Sequence, residues 1–288
     1  MYVANTNRYD NTIYNRCGRS GLVLPRISLG MWQNFGKNAD YDTMKDIILT
    51  AFDHGITYFD LANNYGPDPG QAEINFGKIF NENLKPYRDE IIIATKAGYE
   101  MWPGPYGGRG GSRKYLTASL DQSLKRMGID YVDIFYHHCL DPDTPLKETA
   151  LCMSDIVRQG KSLYIGMSNY DGKKMHRMYH KCDDYNVPFV VNQNRYNILD
   201  RQVEYNSLKK ECFSKHKGLV AFSPLAQGRL SDKFRNGIPE SSRLYGKPDY
   251  CKRIGLDDAQ LQYISSLCEI ADKRGETLSQ MAIQWLLK

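Results

Sequence analysis

An acid, a lysine and a pair of histidines in this chain each follow a short apolar run. Asp60 ends Gly55-Ile-Thr-Tyr-Phe, Lys96 follows Ile91–Thr95, and His137 and His138 follow Val132–Tyr136. Other buried-looking runs end in Ser168 and Asn169, in Asn192 and Gln193, and in Ser223. A polar side chain at such a place is costly to leave unpaired, so these residues need one another or a ligand. Tyr65 lies just beyond Asp60 in the segment Asp60-Leu-Ala-Asn-Asn-Tyr-Gly66. Reducing a carbonyl requires a hydride and a proton, and a phenol supplies the proton when its anion is stabilised. Lys96 as the stabilising charge and Asp60 as the group holding Lys96 make such a set with Tyr65. A neighbouring imidazole would orient the carbonyl and support its developing negative charge. Alternation along a strand puts His137 and His138 on opposite faces without saying which lines the pocket.

These residues converge only if the elements before them run side by side. Strand-like runs are expected at Arg26–Leu29, Thr57–Phe59, Ile91–Thr95, Val132–His137, Leu163–Met167, Phe189–Val191 and Leu219–Phe222. Helical spacing of apolar residues predicts helices at Tyr41–His54, Gln71–Asn81, Arg113–Met127, Pro145–Arg158, Gly172–Asp184 and Gln202–Lys215 between them. Strands alternating with helices predict a parallel sheet with helical crossovers, and in an α/β barrel all C-terminal strand ends meet at one mouth. Two stretches interrupt the alternation: Trp102–Ser112, rich in Gly and Pro, and Gln227–Leu256, read as a long polar loop. Helical pattern resumes over Asp257–Leu287, broken near Gly275.

At 288 residues the chain is expected to be one barrel domain, 1–288. Its net charge of +5 is spread along the sequence, which argues against a nucleic-acid partner and suits an anionic small molecule. The seven cysteines stand singly, without metal-ligand spacing, and are expected to be reduced thiols with no metal site. No run is long and apolar enough for a membrane helix, and the polar N-terminus does not read as a signal peptide, so a cytoplasmic protein is expected. Gly104–Gly111 contains neither G-x-G-x-x-G nor a phosphate-loop lysine.

Gly55-Ile-Thr-Tyr-Phe-Asp60, then Ala62 and Tyr65-Gly66, resembles the aldo-keto reductase pattern G-x-x-x-x-D-T-A-x-x-Y-G, with Leu61 in place of the threonine. Ile93-Ala-Thr-Lys96 resembles the family's lysine strand. Tyr131–His138 resembles the segment whose final histidine is catalytic, which selects His138 over His137. Within the superfamily, Trp102-Pro-Gly-Pro-Tyr-Gly and Gly111-Ser-Arg-Lys114 are similar to the L-glyceraldehyde 3-phosphate reductase group, related to potassium-channel β-subunits. The resemblance implies a (β/α)8 TIM-barrel fold and NADPH-dependent reduction of small aldehydes such as glyceraldehyde 3-phosphate or methylglyoxal. Asp60, Tyr65, Lys96 and His138 are the implied catalytic tetrad. The resemblance also implies that Ser168, Asn169 and Gln193 hold the nicotinamide carboxamide and that Phe222 lies under the ring, a place a core phenylalanine would fill equally well on composition. Ser223, Pro224, Leu225, Gln227 and Gly228 would follow the pyrophosphate. Lys233, Ser241 and Arg243 would close over it, and Trp32 would line the substrate mouth or the cofactor.

Set against the family pattern, the sequence reads as truncated before the eighth strand and final helix. Such a sheet would have unpaired edges open to pairing with another chain, so a homo-oligomer is one expectation and weakened NADPH affinity another. Two other outcomes stand beside the enzyme: an NADP(H)-binding redox-sensing subunit with little turnover, and an inactive fragment. His138 favours the enzyme, because the channel subunits it resembles carry asparagine there.

Overall fold

The computed structural model describes residues 2–242 and 244–288. A short antiparallel hairpin, β1 (Tyr14–Arg16) and β2 (Val23–Pro25), comes first. Seven strands then form one sheet in strict sequence order: β3 (Leu29–Gly30), β4 (Tyr58–Asp60), β5 (Ile92–Ala97), β6 (Val132–His137), β7 (Ser162–Ser168), β8 (Phe189–Arg195) and β9 (Gly218–Phe222). The helices are α1 (Tyr41–Asp53), α2 (Gln71–Ile79), α3 (Arg113–Met127), α4 (Leu146–Arg158), α5 (Gly172–Asp184), α6 (Gln202–Tyr205), α7 (Leu208–Ser214), α8 (Pro248–Arg253), α9 (Asp258–Lys273) and α10 (Leu278–Leu286). Pairing from β3 through β8 is parallel throughout. An open doubly wound sheet reverses its order at a switch point, and this one never does, so the α/β fold is of the TIM-barrel type, with seven strands among the described residues.

Strand bounds moved from those expected in an instructive way. The first sheet strand shrinks to Leu29–Gly30, and β5, β7 and β8 run on through Lys96, Ser168 and Gln193. These polar residues therefore end strands rather than follow them, because ladder hydrogen bonding continues past the last apolar residue. The predicted helix Gln202–Lys215 is broken in two at Ser207, whose φ of 65° is left-handed. The hairpin was not anticipated, since three-residue strands carry little periodicity.

By its contacts the chain divides into two compact units, the first comprising residues 1–194 and 206–220. In this unit the hairpin's Cys17 and Leu24 share an apolar cluster with Tyr58, Ala94, Ile134, Tyr136, Val190 and Val191. Helices start where a side chain replaces the missing backbone partner: Asp40 accepts the Thr43 N–H at α1, Ser112 that of Tyr115 at α3, and Asp171 that of Lys174 at α5. At the end of α3, Gly128 takes a φ of 64°.

The second unit comprises residues 195–205 and 221–288. Helices α9 and α10 pack there with Ala226, Leu230, Phe234, Leu244, Cys251 and Leu256 in one buried cluster. This corrects the reading of Gln227–Leu256 as a polar loop. The segment folds over its own apolar residues, spaced too irregularly to show a period. Among the described residues no helix is long and apolar enough to cross a membrane.

Candidate active site

Asp60, Lys96 and Tyr65 meet at the C-terminal ends of β4 and β5. Register pairs Asp60 with Ala94, and the lysine two residues further along β5 points to the same side as Ala94. Lys96, fully buried, donates from Nζ to Asp60 Oδ2 at 2.6 Å, to the Leu61 carbonyl at 2.7 Å and to the Tyr65 hydroxyl at 3.2 Å. Its three donors thus have three acceptors. Asp60 Oδ1 accepts from Gln193 Nε2 at 3.1 Å and from the Tyr58 hydroxyl at 3.4 Å. Beneath the carboxylate, the Tyr58 and Tyr136 hydroxyls are 2.8 Å apart.

Burial pulls the Lys96 pKa down, but Asp60 and Tyr65 more than offset it, so the ammonium stays charged. For Tyr65, burial raises the pKa, Lys96 lowers it and Asp60 raises it; the net direction is up. The expectation of an acidified phenol is corrected: Lys96 acts in the expected sense, yet burial outweighs it. Tyr65 therefore keeps its proton at neutral pH and can give it to a strongly basic alkoxide.

The two histidines separate as strand parity requires. His137 turns away from this cluster, and its Nδ1 lies 2.7 Å from the Tyr170 hydroxyl. His138, one residue past β6, stands edge-on to Tyr65 and Tyr99, with ring centroids 5.8 and 4.6 Å away. Its Nδ1 is buried without a partner. Burial, then Lys96, then His137 push its pKa well below the ordinary histidine value, so it is a neutral imidazole. Tyr99 escaped the sequence reading. The available signal was its place three residues after Lys96 on the same strand's exit.

Of the implied nicotinamide contacts, Ser168, Asn169 and Gln193 stand together at the ends of β7 and β8. Asn169 Nδ2 donates to the His138 carbonyl at 2.9 Å and Asn169 N–H to the Gln193 carbonyl at 3.0 Å. Asn169 has a left-handed φ of 60°, a strained conformation that clusters at ligand sites. Hydroxyl and carboxamide groups are the right chemistry for a carboxamide. Trp32, half exposed after β3, accepts the Gly66 N–H at its carbonyl, 2.8 Å away, which ties the Tyr65 loop to that strand.

The second unit carries the implied phosphate segment. Ser223, Ala226 and Gln227 have φ of 54°, 48° and 62°, and Gly228 has 91°. Ala226, Gln227 and Gly228 are left-handed in succession, and the turn is closed by the Ala226 N–H on the Ser223 carbonyl and the Gly228 N–H on the Leu225 carbonyl, both at 2.9 Å. Asn197 Nδ2 fixes it by donating to the Ser223 carbonyl at 2.9 Å, and Tyr250 by donating to Gln227 Oε1 at 3.1 Å. Phe222 is partly buried, and the Arg195 guanidinium lies over its ring at 5.8 Å. Pro224 and Leu225 lie within the turn; Lys233 and Ser241 are exposed. Arg243 lies outside the described residues. Among the described residues no group of His, Cys, Asp and Glu is placed to hold a metal.

Known proteins resemble the chain along nearly its whole length. The Aldo/keto reductase family pattern matches residues 26–288. L-glyceraldehyde 3-phosphate reductase from Escherichia coli (strain K12) is 48% identical over 291 residues, covering 100% of this chain and 84% of that protein. A probable voltage-gated potassium channel subunit beta from Arabidopsis thaliana is 36% identical over 279 residues, covering 94% and 82%. Among solved structures, the thermostable aldo-keto reductase Tm1743 in complex with the inhibitor epalrestat superposes with a TM-score of 0.72 at 31% identity, covering 96% of this chain and 85% of that one. A match over this much of the sequence, joined to relatives this similar, means that the chain belongs to the aldo/keto reductase family.

Proposed function

We propose that the protein reduces small aldehydes with NADPH, with Tyr65 as the proton donor. The observation that carries this reading is the hydrogen-bonded line from Asp60 through Lys96 to the Tyr65 hydroxyl, with neutral His138 beside it. NADPH, when bound, would supply the hydride for the carbonyl carbon. Tyr65 gives its proton to the carbonyl oxygen, Lys96 stabilises the phenolate left behind, and Asp60 keeps Lys96 in place. His138, as a neutral imidazole, donates a hydrogen bond that orients the oxygen. Ser168, Asn169 and Gln193 would hold the carboxamide, Ser223, Pro224, Leu225, Gln227 and Gly228 would bind the pyrophosphate, and Phe222 would offer an aromatic face to the nicotinamide. Lys233, Ser241 and Arg243 would supply charge and a hydroxyl to the phosphates, and Trp32 would line the mouth.

The name of the K12 relative supports a phosphorylated three-carbon aldehyde as substrate, with methylglyoxal as a second candidate. A cytoplasmic location and activity of the 1–288 chain as one functional domain belong to the same reading. Following NADPH oxidation with a panel of aldehydes tests it. Turnover with at least one short aldehyde, and slower turnover with NADH, is expected. NADPH binding without turnover on any of them would instead favour a cofactor-sensing subunit.

A further inference from the structure

The loop between β5 and α3 holds a cation that the mechanism does not use. Arg109 is exposed, and among the described residues no carboxylate forms an ion pair with it. Its Nε donates to the thiol of Cys139 at 3.4 Å, and its guanidinium carbon lies 5.6 Å from the centre of the Tyr99 ring. A thiol is a weak acceptor, and this contact engages Nε alone, so that among the described residues the terminal nitrogens, the fork suited to an oxyanion, have no hydrogen bond. Asp141, whose charge acts on Arg109, is engaged by the Gly111 N–H at 2.8 Å, the Thr144 hydroxyl at 2.5 Å and the Asp143 N–H at 2.9 Å.

The guanidinium is also tied to the candidate site by short steps. Cys139 directly follows His138, and the Tyr99 ring meets both side chains, its centre 4.6 Å from the imidazole and 5.6 Å from the guanidinium. The loop backbone is pinned on both sides of Arg109. Gly110 N–H donates to the Gly98 carbonyl at 3.1 Å, and the Gly107 carbonyl accepts from the Met101 N–H at 2.8 Å. A side chain placed by so fixed a backbone is preorganised for a ligand.

We infer that Arg109 is a specificity residue that receives the terminal phosphate of a short-chain aldehyde whose carbonyl lies at Tyr65 and His138. A three-carbon phosphate ester with a hydrogen bond at each end spans roughly 10 Å, and the imidazole and guanidinium, both against Tyr99, lie no further apart than about that length. This deepens the reductase reading and rests on it for the carbonyl's position. The cofactor's phosphates are the other source of the same chemistry, and the test separates the two.

The experiment compares wild type, Arg109→Ala and Arg109→Lys on glyceraldehyde 3-phosphate and on glyceraldehyde. The ratio of kcat/KM for the phosphorylated over the plain aldehyde should fall roughly 10- to 100-fold in Arg109→Ala, mainly through KM, and recover in part in Arg109→Lys. KM for NADPH should stay within about twofold. An unchanged ratio overturns the inference, and a rise in the KM for NADPH in place of the ratio change assigns Arg109 to the cofactor. Calorimetric titration with glycerol 3-phosphate, against glycerol, reads the subsite without turnover. Binding that depends on Arg109 in a protein that reduces neither aldehyde would sustain the subsite while removing the reductase reading. Equal binding by wild type and Arg109→Ala would overturn the subsite and leave the reductase reading standing.

Discussion

At the scale of single residues, the account rests on a buried charge with all its partners present. Lys96→Met leaves Asp60 as a buried carboxylate without its cation, which costs about 3–5 kcal/mol. A urea melt of this variant should show that loss, and its turnover should be abolished. The upward direction for Tyr65 predicts a rate of aldehyde reduction that is flat through neutral pH and falls only on the alkaline side, as the phenol loses its proton. A rate that declines between pH 6 and 8, about the range of an ordinary histidine, would assign the proton to another group.

His137 carries a different pH dependence. Burial, only partly countered by a backbone hydrogen bond at Gly110, pushes its pKa from 6.5 to about 4. The unfolded chain therefore takes up this proton first as pH falls. The stabilisation is complete above about pH 6.5 and is lost between there and about 4, by up to about 3 kcal/mol. Urea midpoints measured across this window should fall less steeply in His137→Gln than in wild type, and identical slopes would remove His137 as the cause.

At the scale of elements, the site depends on how β6 lies against β7. Tyr136 pairs with Gly166, and a Cβ at Gly166 would stand 2.3 Å from the Tyr136 ring. Gly166→Ala should therefore destabilise by about 1–3 kcal/mol. It should also lower turnover, because the Tyr136 hydroxyl supports Tyr58 and hence Asp60. A denaturant melt and a rate measurement on this variant check both. Much of this layer was legible in the sequence. Arg113–Met127 and Gly172–Asp184 were read to the residue, because a capping side chain and a clear apolar stripe bounded each. Asp60 and Lys96 were legible because each stood at the edge of an apolar run, whereas only the family resemblance separated His138 from His137. The break at Ser207, the packed core within Gln227–Leu256 and the contact of Tyr99 with His138 were not. Each depends on tertiary contacts that leave no local period, and the net direction of the Tyr65 pKa depends on how deeply the group is buried.

At the scale of the whole molecule, all seven cysteines are free and buried. Burial lifts Cys17 to about 11 and Cys182 and Cys212 to about 12, which suppresses the reactive thiolate. A thiol reagent should therefore react slowly with the native protein and titrate seven groups once it is denatured. Fast reaction of several thiols in the native state would mean that the packing is looser than described. The central claim is narrower: one phenol delivers the proton. Single-turnover oxidation of bound NADPH by an aldehyde, in wild type and Tyr65→Phe, measures it directly when cofactor affinity is titrated in parallel. The rate should be lower by about 100-fold or more in the variant, with NADPH affinity nearly unchanged. A variant rate within a few-fold of wild type would contradict it.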